Sequence, residues 1–225
     1  MSLINMKGVA VDESRLAENA IKMGKTDSSA TVLLKSMHLF GLKDKCIIRL
    51  CLFAVIEISV AVFMSRDVDT INQCETVIGI FHSIIVSVFA IVFTGYALFQ
   101  ALLNKELLIA MLSSSLKNDR NEDTSYIEYS NNTFVEFMMA LFSVIVLDLI
   151  IRVFLNIIPD SWCMFANNSI NEIISCIGII LILYINMEAL WETKSFIYNV
   201  YTLFNAYTMT KALEYLRELR EREEK

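Results

Sequence analysis

A single proline, six glycines and two histidines are all that the 225 residues hold of those types. So little Gly and Pro excludes collagen-like and low-complexity architectures. The five cysteines never fall as CxxC and no HExxH occurs, so no structural zinc site is expected. No dense basic patch is present to meet nucleic acid, and a net charge of −6 selects no partner. The sequence shows no nucleophile–base pair, metal cluster or phosphate loop, so neither enzyme chemistry nor a cofactor is expected. The opening 30 residues lack an apolar core, because Asp12, Glu13, Arg15, Glu18, Lys22, Lys25 and Asp27 interrupt every run. They do not read as a signal peptide.

Apolar residues are in excess. They make up 56% of the chain, with a mean hydropathy of +0.53, against about 45–50% in a soluble domain. A bilayer core about 30 Å thick is crossed by roughly 20 apolar helical residues. Four stretches meet that length: 46–65, 77–103, 134–158 and 170–190, the third stopping at Pro159. Only helices satisfy their own backbone hydrogen bonds in lipid without closing a barrel. The expected fold is all-α, an integral membrane four-helix bundle with a cytoplasmic extension of the fourth helix. The expected parts are a cytoplasmic segment 1–45, the membrane part 46–190 and a helical tail 191–225.

Lys and Arg set the expected orientation. Segment 1–45 carries seven, the first loop one, the second three, the third none and the tail six. The alternation puts both ends and the second loop in the cytoplasm. In this reading Asn167-Asn168-Ser169 is an external glycosylation sequon, with Asn167 the candidate acceptor. The sequon at Asn131 faces the cytoplasm and stays silent. Cys74 and Cys163 fall in external loops and form the candidate disulfide, with two unpaired thiols the other reading.

Within the second span, Gly79, Ser83, Ser87, Ala90, Thr94, Ala97 and Ala101 recur at spacings of 4, 4, 3, 4, 3 and 4. Small faces let helices approach closely in lipid, so this stripe is expected to be the main packing seam. Ionisable residues at membrane depth are functional candidates. Glu57 shares a face with Ala54, Ala61 and Ser65 and is expected to point inward. Asp148 and Arg152 stand at i and i+4, where helical side chains meet, and are expected to pair. His82 lies in the outer part of the second span. Glu57, His82, Asp148 and Arg152 are the candidate ligand-pocket residues. Tyr96, Gln100 and Asn186 read as interfacial anchors or interhelical hydrogen bonders.

The tail keeps helical spacing through Phe196, Val200, Leu203 and Phe204. Further on it has a thin stripe of Leu213, Leu216 and Leu219, with i,i+4 charge pairs such as Arg217–Glu221.

This order of features resembles the insect gustatory receptor family, relatives of the insect odorant receptors. The approach Leu33-Leu34-Lys35-Ser36-Met37-His38-Leu39-Phe40-Gly41-Leu42 is similar to the family's hydrophobic lead-in ending in Gly-Leu. Where a Pro often follows, this chain has Lys43-Asp44. Asp148 falls where many members carry an acidic residue. Trp191-Glu192-Thr193-Lys194-Ser195-Phe196 and Phe204-Asn205 are similar to the cytoplasmic extension of the family's fourth helix. The resemblance covers about residues 33–205.

The resemblance implies a membrane chemoreceptor of a family whose members have seven spans and form tetrameric ligand-gated cation channels. This chain corresponds to the first four spans, a truncated or partial member without the pore helix. Expected partners are the plasma-membrane bilayer, receptor subunits in a homo- or hetero-oligomer, and a small-molecule ligand. The competing expectation is a four-span scaffold or accessory subunit without ligand binding.

Overall fold

A computed structural model describes residues 13–24, 27–41, 47–66, 69–117, 123–159 and 165–223. Seven α-helices are seen among them: α1 (Glu13–Met23), α2 (Ser29–Ser36), α3 (Ile47–Ser65), α4 (Thr70–Leu102), α5 (Lys105–Ser113), α6 (Tyr126–Ile157) and α7 (Asn168–Glu223). A 3-10 turn, Met37–Phe40, follows α2. The all-α expectation holds, with one short extended pair among the described residues. Strands β1 (Ser115–Lys117) and β2 (Asp123–Ser125) pair antiparallel, with Ser115 opposite Ser125. Cys46 and Cys163 lie outside the described residues, and with Cys163 the disulfide expected for Cys74.

Four helices are long and apolar enough to cross a membrane: α3, α4, α6 and α7 as far as Leu213. Three begin earlier than expected, α4 at Thr70 rather than 77, α6 at Tyr126 rather than 134 and α7 at Asn168 rather than 170. The apolar-length criterion marks where lipid could begin. The helix itself continues through polar turns as long as its caps are satisfied. Ser125 Oγ accepts the Glu128 N–H at 3.3 Å ahead of α6, and Asn104 Oδ1 accepts the Leu107 N–H at 2.8 Å to start α5. Asn167 Oδ1 takes the Ser169 N–H at 3.0 Å ahead of α7. Helix α6 stops just before Pro159, whose ring disfavours helix in the residue ahead of it. Helix α7 runs unbroken for 56 residues.

The chain divides into two compact units. One holds the described residues up to Ser28, with 96–135 and 199–223. In it α1 packs on α5, and buried Asn19 donates from Nδ2 to the Leu112 carbonyl at 2.8 Å. The Phe99 and Phe134 rings stack at 5.4 Å, and Tyr96 Oη donates to Asn131 Oδ1 at 2.8 Å.

The other unit holds 29–95 and 136–198. Ala61 and Met64 of α3 meet Ile179 and Leu183 of α7, with Cys74, Val77 and Phe81 of α4 against them. Farther along, Phe53 meets Trp191 edge-on at 5.6 Å and Phe137 stacks on Phe196 at 5.6 Å.

The buried stripes repeat every three and four residues. In α6 they fall at Ile127, Ser130, Phe134, Phe137, Leu141, Val144 and Asp148, the a/d spacing of helices that pack side by side. In α4 they fall at Ile78, Ile85, Val92 and Phe99, seven apart. The small-residue seam is therefore corrected as a packing face of the chain. Ser83, Ser87, Ala90, Thr94, Ala97 and Ala101 are exposed, and the serine and threonine hydroxyls donate back to their own helix at i−4. Larger Ile and Val bury more area per contact and take the inner face.

Deleting inner volume should cost more than trimming the small-residue face. Ile85→Ala is expected to lower stability by about 2–5 kcal/mol, and Ser87→Ala to change it by under about 0.5 kcal/mol. Unfolding of the detergent-purified chain measures both. Equal losses would remove Ile85 from a packed face.

Candidate functional site

Several charged and polar side chains lie inside these helices while many large apolar ones face outward. On α3, Ile48 is 80% and Phe63 76% exposed, while Glu57 is 4% exposed. Asp148, Asn186 and Glu188 are buried as well. Three groups of polar residues follow from this inversion.

The first joins α3 to α7. Arg49, Phe53 and Glu57 are four residues apart and share one helical face. Arg49 Nη2 donates to Glu188 Oε2 at 3.3 Å, and Nη1 lies 3.9 Å from Glu192 Oε1. The Glu188 side chain is fully buried and that of Arg49 is 11% exposed. The guanidinium carbon sits 5.2 Å from the Trp191 ring centre and 6.0 Å from that of Phe53. Lys194 Nζ lies 4.4 Å from the same Trp191 ring. All three are cation–π contacts, worth about 0.5–2 kcal/mol each. Glu57 stands within electrostatic reach of Glu188. Its Oε1 is buried without a hydrogen-bond partner among the described residues.

The second joins α6 to α7. Asn186 Nδ2 donates to Asp148 Oδ1 at 3.1 Å and to the Ile182 carbonyl at 3.0 Å. Asp148 Oδ2, Asn186 Oδ1 and His82 Nδ1 are buried without hydrogen-bond partners among the described residues. His82 of α4 lies within electrostatic reach of Asp148.

The third is a cleft of about 540 Å³ between the first turns of α4 and the last turns of α6. Glu75, Gly79, Ile80, Ser83 and Ile84 line it from α4, and Arg152 from α6. Arg152 Nη2 and Glu75 Oε1 are 3.8 Å apart, a loose and half-wet pair. Asn156 Nδ2 holds the same Glu75 oxygen at 3.0 Å.

No family model, no curated protein and no solved structure matches this chain.

The expected Asp148–Arg152 pair is corrected. Asp148 takes Asn186 and Arg152 takes Glu75. Asp148 is fully enclosed, so pairing would draw a guanidinium, itself a third exposed, into the interior. The half-wet carboxylate of Glu75 demands less desolvation. Of the four pocket candidates only Arg152 lines the cleft; Glu57, His82 and Asp148 belong to the inner groups. Among the other candidates, Asn186 bonds α7 to α6, and Tyr96 and Gln100 both donate to Asn131 Oδ1. Asn167 is exposed at the start of α7, and Cys74 is half-buried.

Arg49, Glu188 and Glu75 are absent from the sequence-based candidates. The first two were legible in principle, since Arg49 repeats with Glu57 at two helical turns and Glu188 with Glu192 at one.

Removing one member of a buried pair strands the other. Glu188→Ala should therefore lower stability by about 3–5 kcal/mol. The double variant Arg49→Met/Glu188→Leu should recover most of that loss. Thermal unfolding in bicelles reads both, and losses that simply add would exclude a coupled pair.

Proposed function

We propose that this chain is an integral membrane protein of the insect chemoreceptor type, acting in chemical sensing at the plasma membrane. Four spans cross the bilayer, with both ends and the α4–α6 connection in the cytoplasm. The membrane part of the reading rests on the polar-in, apolar-out inversion. Large exposed apolar surfaces mark a membrane or partner environment. Helix α3 turns eight large apolar side chains outward, from Ile47 to Phe63. At about 0.3–0.6 kcal/mol each toward insertion, they return roughly 2.4–4.8 kcal/mol. That offsets about one buried charge, at about 2.5–3.5 kcal/mol. The second α3 charge needs its α7 partner.

The sensing part rests on the cleft at Arg152 and Glu75 together with the family resemblance. The cleft is open, and within about 540 Å³ it sets a charge of each sign beside an apolar wall. In the proposed orientation the cleft lies in the outer half, the level at which the resembling family binds ligands.

A second reading is favoured by one observation. The small-residue face of α4 is exposed, and such faces seat partner helices in lipid. In that reading the chain is an accessory subunit of a larger receptor.

Two experiments test these readings. In cells making the full chain, peptide N-glycosidase should shift its mobility, and Asn167→Gln should abolish the shift. A shift carried by Asn131 would reverse the orientation. In cells also making a seven-span gustatory receptor, the chain should alter which tastants evoke calcium entry, and Arg152→Ala should erase the change. Co-purification with that receptor and an unaltered tastant profile would replace the sensing reading with the accessory one.

A further inference from the structure

We infer that the α4–α6 cleft binds a zwitterion, with the anionic group on Arg152 and the cationic group on Glu75. The inference rests on the reading of this cleft as the ligand site and adds the ligand's chemical class.

The two charges stand in one cleft without satisfying each other. Their contact is a single approach at 3.8 Å, not the bidentate fork that a guanidinium makes with a well-placed carboxylate. Arg152 Nε is buried and has no hydrogen-bond partner among the described residues. The guanidinium is also about a third exposed, and its outer donors can face an anionic oxygen pair, the geometry that Arg recognises best. Glu75 is held differently. Asn156 Nδ2 donates to its Oε1 at 3.0 Å and to the Arg152 carbonyl at 3.0 Å, which ties the carboxylate to the end of α6. A carboxylate fixed on one oxygen keeps acceptor capacity for an ammonium.

The rest of the cleft fits a short ligand body. The guanidinium lies beside Gly79, its carbon 3.6 Å from where a Cβ would stand. The glycine thus gives Arg152 a shelf, and any longer side chain would enter the space the guanidinium and ligand share. Ser83 spends its hydroxyl proton on the Gly79 carbonyl at 2.9 Å, so toward the cleft it offers only an acceptor. Ile80 and Ile84 supply an exposed apolar wall. An arm of each sign and an apolar wall match a zwitterion better than a singly charged ligand. A lone anion would leave Glu75 repelling it, and a lone cation would meet Arg152 in the same way.

This chemistry has two sources. One is a soluble zwitterion such as an α-amino acid. The other is a zwitterionic phospholipid headgroup, because the cleft lies near the ends of two apolar helices, where a headgroup layer would stand.

The test uses the purified full chain in detergent and follows its unfolding temperature. The probes are leucine, dihexanoylphosphatidylcholine, acetate and tetramethylammonium. Leucine, the phosphatidylcholine or both should stabilise the chain, and the two singly charged probes should not. Arg152→Gln and Glu75→Gln should each weaken zwitterion binding at least tenfold, and Gly79→Leu should abolish it. Gly79→Ala and circular dichroism of every variant report folding. Stabilisation by leucine alone assigns the site to a soluble ligand, and by the phospholipid alone to a headgroup. No zwitterion effect, or an effect that survives Glu75→Gln undiminished, overturns the inference. Zwitterion binding with an unaltered tastant profile would sink the sensing reading and leave this one standing. An altered tastant profile without zwitterion binding would do the reverse.

Discussion

A polypeptide in hydrocarbon has no water to take up its polar groups, and the four long apolar helices of this chain meet that constraint. With lipid as the proposed solvent, backbone amides close on themselves in long helices. Apolar side chains gain little by meeting one another, because lipid tails are just as apolar. Cohesion between helices must then come from close packing and from polar contacts. The chain uses both: regular inner stripes on α4 and α6, and buried bonds from α7 to α3 and α6.

The polar interior carries more negative than positive charge. Glu188 and Glu192 gather near one guanidinium, Arg49, and Glu57 lies within electrostatic reach of Glu188. That guanidinium is itself held between two aromatic rings. Burying such a group gives little net stability and makes each member dependent on the others. What it fixes is register, because Arg49 reaches Glu188 and Glu192 only when α3 and α7 align as seen. The cleft at Arg152 and Glu75 is built with looser pairing. Its charges stay half-wet and hold each other weakly.

The apolar runs made the four long helices readable from composition alone. Their starts were not, because Thr70–Thr76 and Tyr126–Thr133 are polar turns that a helix tolerates and an apolar-length criterion ignores. The inward face of Glu57 was readable from its small neighbours Ala54, Ala61 and Ser65. Its surroundings were not, because Glu188 lies far off in sequence and nothing local announces the meeting. Arg49 stands close behind Lys43 and Lys45, where it blends into the flanking positive charge. The stripe of small residues on α4 is legible in the sequence, but this chain does not cover it among the described residues. Spacing shows that residues share a face, and only packing shows whether this chain or another covers it.

The inversion of polar and apolar surface is tested most directly by alkaline carbonate extraction of membranes from cells making the full chain. Lipid as the solvent predicts that the chain stays in the membrane pellet and leaves it only with detergent. Release into the supernatant as a monomer that remains folded without detergent would contradict it.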